Sequence, residues 1–208
     1  MYLRATNISM YVIQYLDKII SIMKKILFSI VLISISTSVA FQSNAQTRKN
    51  DNCDPFDAVV NNHDQIFQSS GIPSAIELVL KYCRAVDPNF YKLQNEWQEK
   101  TDGSFRDFDN KKLYGITFTQ KFKLPRDANF PIDSIFRTIE KELRVGKKVI
   151  IALQLETGWP IFVVHKQTPN GEFVSYSKLG SHTLIIRNTK EIVKRSNGTE
   201  IMTYSIRP

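Results

Sequence analysis

The hydrophobic period of this chain changes at Gly146, and that change limits its folds more than any other feature. Before it, apolar residues recur at helical spacing. Ile76, Val79, Leu80 and Cys83 fall on one face of a segment running from Pro73 to about Arg84, and proline suits a first turn whose N–H has no partner. A second helix is expected from Asp87-Pro88, burying Phe90, Leu93 and Trp97 and ending at Asp102-Gly103-Ser104. A third, Pro131 to Val145, turns Ile132, Ile135, Phe136, Ile139 and Leu143 inward and stops at Gly146. After that glycine the period is two. Lys148 to Leu155, Ile161 to Lys166, Glu172 to Ser177 and Thr183 to Arg187 read as strands, with Pro169-Asn170-Gly171 as a turn. Leu113 to Phe118 is an earlier strand, and Asn197-Gly198 signals a hairpin because both residues tolerate positive φ. Helices followed by an antiparallel meander make an α+β domain, with N-terminal helices packed on a C-terminal antiparallel sheet.

The N-terminus reads as an export signal. Lys24 and Lys25 form a charged region, Ile26 to Phe41 an apolar one, and Ser43-Asn44-Ala45 offers the small residues a signal peptidase requires. Residues 23–45 are therefore the expected signal peptide, residues 1–22 an over-called extension ahead of Met23, and 46–64 a lead-in to a domain over 65–208. The apolar run is shorter than the roughly 18–20 residues of a membrane span and is broken by serines. The expected location is periplasmic or secreted. The two cysteines, Cys53 and Cys83, form an even pair in an oxidising compartment and are candidates for a disulfide.

The formal net charge of +8 includes four basic residues and one acidic residue ahead of Gln46. What remains alternates in sign, as in Lys111-Lys112, Arg126-Asp127 and Glu140-Lys141-Glu142, with no basic stripe interleaved with aromatics. That is a solvated surface rather than a nucleic-acid footprint. Asp107-Phe-Asp109 and Asp54-x-x-Asp57 lack an accompanying His or Cys set and read as turn carboxylates, so neither a metal nor another cofactor is expected. Asn197-Gly-Thr matches a glycosylation acceptor, although a turn already accounts for it.

Two stretches carry a resemblance. Gly71-Ile-Pro-Ser-Ala-Ile-Glu-Leu-Val-Leu-Lys-Tyr82 resembles the Cys-x-Pro-x-x-x-x-x-Val-Leu-Lys helix of papain-like cysteine peptidases, in particular the bacteriocin-processing (double-glycine) group. Gly146-Lys-Lys-Val-Ile-Ile-Ala-Leu, Gly158-Trp-Pro-Ile-Phe-Val-Val and Asn170-Gly-Glu-Phe-Val are similar to that group's histidine region. The resemblance implies a papain-like fold over residues 65–178 and a site with four positions. Gln65, six residues ahead of the nucleophile position, falls on the oxyanion glutamine. Gly71 falls on the cysteine, Pro160 on the histidine and Ser177 on the residue that orients it.

That chemistry requires a thiolate held at a helix N-terminus beside an imidazolium. Glycine and proline supply neither group, so the implied protein is an inactive homologue whose groove, lined by Gln65, Ser70 and Trp159, holds a peptide or protein partner. One alternative is a hydrolase using Ser70 with His182 as base, His165 being turned to the face opposite position 160. Another is a structural or inhibitory protein acting through its surface.

Overall fold

The computed structural model describes residues 55–206. The expected extension, signal peptide and cleavage site, together with Cys53 and Asp54, lie outside the described residues.

Among the described residues, three helices precede the sheet. The first, α1 (Pro55–Asn61), starts on a proline and buries Phe56 and Val60, one turn apart. It lies inside the segment 46–64 expected to be a lead-in, so the core begins at Phe56, nine residues before Gln65. Seven residues with two buried positions are too short for a periodicity to register. The second, α2 (Gly71–Tyr82), begins two residues earlier than the proline suggested, with Pro73 still in its first turn. It ends in a Schellman arrangement: Arg84 takes φ 55°, its N–H donates to Lys81 O, and Ala85 N–H donates to Leu80 O. The third, α3 (Lys92–Trp97), is shorter than expected. The Asp87 carboxylate accepts Asn89 N–H and its carbonyl accepts Phe90 N–H, so Asp87-Pro88 closes a turn instead of opening the helix. A 3₁₀ turn follows at Phe105–Phe108.

The expected strand at Leu113 to Phe118 is a hairpin. β1 (Lys112–Leu113) pairs with β2 (Ile116–Lys121) across Tyr114-Gly115, whose φ angles of 49° and 84° suit the tight turn. α4 (Ile132–Arg144) then buries Ile135, Phe136 and Ile139 and closes on Gly146 at φ 78°. β3 (Val149–Ala152), β4 (Ile161–Gln167), β5 (Phe173–Leu179) and β6 (His182–Ile186) form the expected meander.

Beyond it the reading of Asn197-Gly198 as a hairpin fails. The pair ends a helix, α5 (Thr189–Arg195): Asn197 at φ 53° donates to Lys194 O, and Gly198 N–H donates to Val193 O. Positive φ serves a helix cap as well as a hairpin. The chain then enters β7 (Ile201–Ile206), which lies between β2 and β3. The resulting seven-stranded sheet, ordered β1-β2-β7-β3-β4-β5-β6, is antiparallel throughout, and the fold is α+β.

Both sheet faces are covered. β3 is buried at every position, and its side chains alternate between two cores: Ile150 and Ala152 join α1, α2 and α3, whereas Val149 and Ile151 join α4 and α5. His165 sits at a β4 bulge and stacks on Phe56 at 4.9 Å, on the α1 side. Cys83 is a free thiol within 3.7 Å of Tyr204 Oη, which leaves the expected bridge to Cys53 without support.

Candidate functional site

Where the N-terminus of α2 meets the ends of β4 and β5, a cleft of about 420 Å³ opens. Gln65, Gly71, Pro160 and Ser177 all line it, although the sequence separates them by up to about a hundred residues. Trp159 forms part of the wall, with the Arg126 guanidinium 3.8 Å above its ring.

What these positions offer is chemically sparse. Gly71 is the first residue of α2, and a Cβ built on it would lie 3.5 Å from Ile161 Cγ1. The side chain facing Gly71 is therefore Ile161, one residue beyond Pro160; neither carries a titratable group. Ser177 donates its hydroxyl to Ile161 O at 2.6 Å, so it braces β5 against β4. Gln65 turns its amide away from the oxyanion role. Its Nε2 donates to Phe67 O at 2.9 Å and Gln68 O at 2.8 Å, which uses both protons on its own loop. Neither a cysteine nor a histidine is among the described residues that line the cleft.

The loop forming this wall is held by a buried polar network that the sequence reading missed. Gln94, buried on α3, accepts from Ile66 N–H and lies 2.8 Å from the Ser70 hydroxyl; its Nε2 donates to Asp64 O and to Glu77. Glu77, wholly buried on α2, also accepts Leu93 N–H at 2.8 Å and Gln94 N–H at 3.1 Å. Burial pushes its pKa up, against the lowering effect of those hydrogen bonds. On the far side of the loop, Trp97 Nε1 donates to Ser69 O, and the ring lies so close over Gly103 that a Cβ there would come within 1.8 Å of it. The local signal was a polar row, Ser74, Glu77 and Lys81, at helical spacing within a helix that is otherwise largely apolar.

His63 was passed over as well. It is buried, stacked on Tyr91 at 5.2 Å, and bridges Ser74 Oγ at 3.0 Å and Lys81 Nζ at 2.9 Å. The His63–Ser74 pair looks like a Ser–His dyad, but a protonated Lys81 can only donate to Nδ1, and the neutral ring then carries its proton on Nε2, facing Ser74. A general base needs the opposite arrangement. Burial first, and then the Lys81 charge, lower the His63 pKa to about 3, and the group is neutral in the native state.

The alternative nucleophile fares no better. Ser70 is fully buried, with its hydroxyl 2.7 Å from Phe67 O, whereas His182 is exposed at the start of β6. The Cys83 thiol is half-buried, and burial raises its pKa, the reverse of an activated thiol. Asp107 accepts Ser104 N–H and pairs with Lys100, while Asp109 accepts Gln120 N–H and pairs with Lys123. Those hydrogen bonds hold both carboxylates below their usual range. Among the described residues, no group of three or more His, Cys, Asp or Glu is placed to hold a metal, and no helix is long and apolar enough to cross a membrane. Comparison with known protein families, curated proteins and solved structures gave no match.

Proposed function

We propose that this chain is an exported, papain-like domain that has lost catalysis and kept its groove for an extended peptide or a protein partner. One observation carries the reading. The positions that the peptidase resemblance assigns to oxyanion glutamine, nucleophile and orienting residue line one cleft as Gln65, Gly71 and Ser177, and Ile161 faces Gly71 from the opposite wall. Their common location supports the ancestry. Their side chains remove each chemical role: no thiol at 71, no base at 160 or 161, and a glutamine amide bonded to its own loop. The apolar wall of Trp159, Leu155 and Phe105, with backbone groups at the strand ends, suits a peptide held through its main chain.

The full chain is expected to remain unlabelled by thiol-directed peptidase probes, and binders selected from an extended-peptide library are expected to raise its Tm. Trp159→Ala should weaken those binders while leaving Tm without peptide nearly unchanged. Labelling of Cys83 that a peptidase inhibitor abolishes would overturn the proposal, as would peptide cleavage by the purified chain that Ser70→Ala abolishes. Thiol labelling of a Gly71→Cys variant sharpens it, because the added Cβ meets only ordinary contacts at 3.5 Å.

A further inference from the structure

The two edges of the sheet differ in how they are protected. β1 has two residues, begins with Lys112 and follows Lys111, which blunts that edge. β6 has five residues, His182–Ile186, without a Lys, Asp, Glu or Pro among them. Leu184 and Ile185, on opposite faces of the strand, are 38% and 45% exposed. Among the described residues, β6 pairs only with β5.

The hairpin joining them fixes which backbone groups are unused. Leu179 pairs with His182 across a two-residue turn, so His182, Leu184 and Ile186 direct their N–H and C=O groups at β5. Thr183 and Ile185 direct theirs outward. We propose that β6 pairs with β6 of a second copy of this chain, antiparallel and centred on Leu184, giving a two-fold dimer with one continuous sheet.

This register uses all five residues and matches Thr183 with Ile185 of the second copy as hydrogen-bonded pairs. It sets His182 against Ile186 and Ser181 against Arg187, so no like charges oppose one another. Registers displaced by one residue would place side chains from opposite faces together. Leu184 lies on the two-fold axis in a non-hydrogen-bonded pair, the closer of the two antiparallel spacings. It also lines the cleft, so the partner's Leu184 extends the wall of each cleft and joins the two across the dimer axis. The inference does not depend on what the cleft binds.

Sedimentation velocity on the full chain, over a series reaching about 100 μM, should show a reversible dimer. Leu184→Lys sets two ammonium groups opposite each other and should weaken association about tenfold or more; Leu184→Glu should do the same, and mixing the two variants should restore the dimer. Leu184→Cys gives a readout that does not rely on a buried charge: mild oxidation should join two copies through residue 184, mapped by mass spectrometry. A monomer throughout the series overturns the proposal. So does a dimer indifferent to Leu184→Lys, a folded charge pair that fails to recombine, or an absent 184–184 link.

Discussion

On one face of the sheet, α4 buries only Ile135, Phe136 and Ile139 and leaves its remaining residues at least partly open to water. On the other, α2 buries ten consecutive residues, among them Ser74, Glu77 and Lys81. The α4 side is an ordinary amphipathic contact, held by apolar area and tolerant of where its neighbours sit. The α2 side includes a carboxylate, a lysine, a glutamine and a histidine, each with a specified partner. Such a network adds little net stability over an apolar core, but it admits one geometry. That geometry sets the loop from Asp64 to Ser70, and with it one wall of the cleft. Stability is spread over both faces, whereas the shape of the site is concentrated on one.

Glu77→Ala tests this division most severely. It strands Leu93 N–H, Gln94 N–H and one of the two Gln94 Nε2 protons, and should cost about 4 kcal/mol in urea unfolding. Hydrogen exchange should also quicken at Ile66, whose N–H depends on Gln94. Ile139→Ala should cost about 3 kcal/mol through its cavity and leave exchange at Ile66 unchanged relative to global unfolding. Equal local opening in the two variants would abolish the contrast.

His63 supplies a pH-dependent version. Its native pKa of about 3 lies below the ordinary 6.5, so its neutral form contributes stability that is complete above about pH 6.5 and falls as pH drops toward 3. The slope is at most about 1.4 kcal/mol per pH unit. Glu77 works in the opposite direction, since a raised carboxyl pKa favours the native state on acidification, and it offsets part of the loss. Denaturant titrations between pH 7 and 4 should show a shallower decline for His63→Gln than for the wild type. An unchanged decline would mean that acid acts elsewhere. The smallest effect is expected at Gly71: Gly71→Ala should add about 0.5 kcal/mol by relieving helix entropy, yet weaken peptide binding by occupying the cleft floor.

Much of this was legible in the residues. The period change at Gly146, the inward face of α4, and the order of β3 to β6 all follow from local repetition, which records burial within a single element. The gathering of Gln65, Gly71 and Ser177 at one cleft was readable only through the resemblance. The missing elements were short or ambiguous: α1 has two apolar anchors, and Asn197-Gly198 supplies positive φ that a helix cap uses as readily as a hairpin.

The sequence by itself determined the longer helices, the meander from β3 to β6 and the stop at Gly146, and that neither a cysteine nor a histidine stands at positions 71 and 160, which the peptidase resemblance singles out. Tertiary structure alone decided that β7 enters the middle of the sheet, that Ile161 and not Pro160 faces Gly71, and that Gln65 spends its amide on its own loop. It also decided that Glu77 and Gln94 join α2, α3 and the site loop. The reason is one of range. Hydrophobic period is a property of neighbours along the chain, whereas a buried carboxylate is tolerable only if donors some sixteen residues away arrive to meet it.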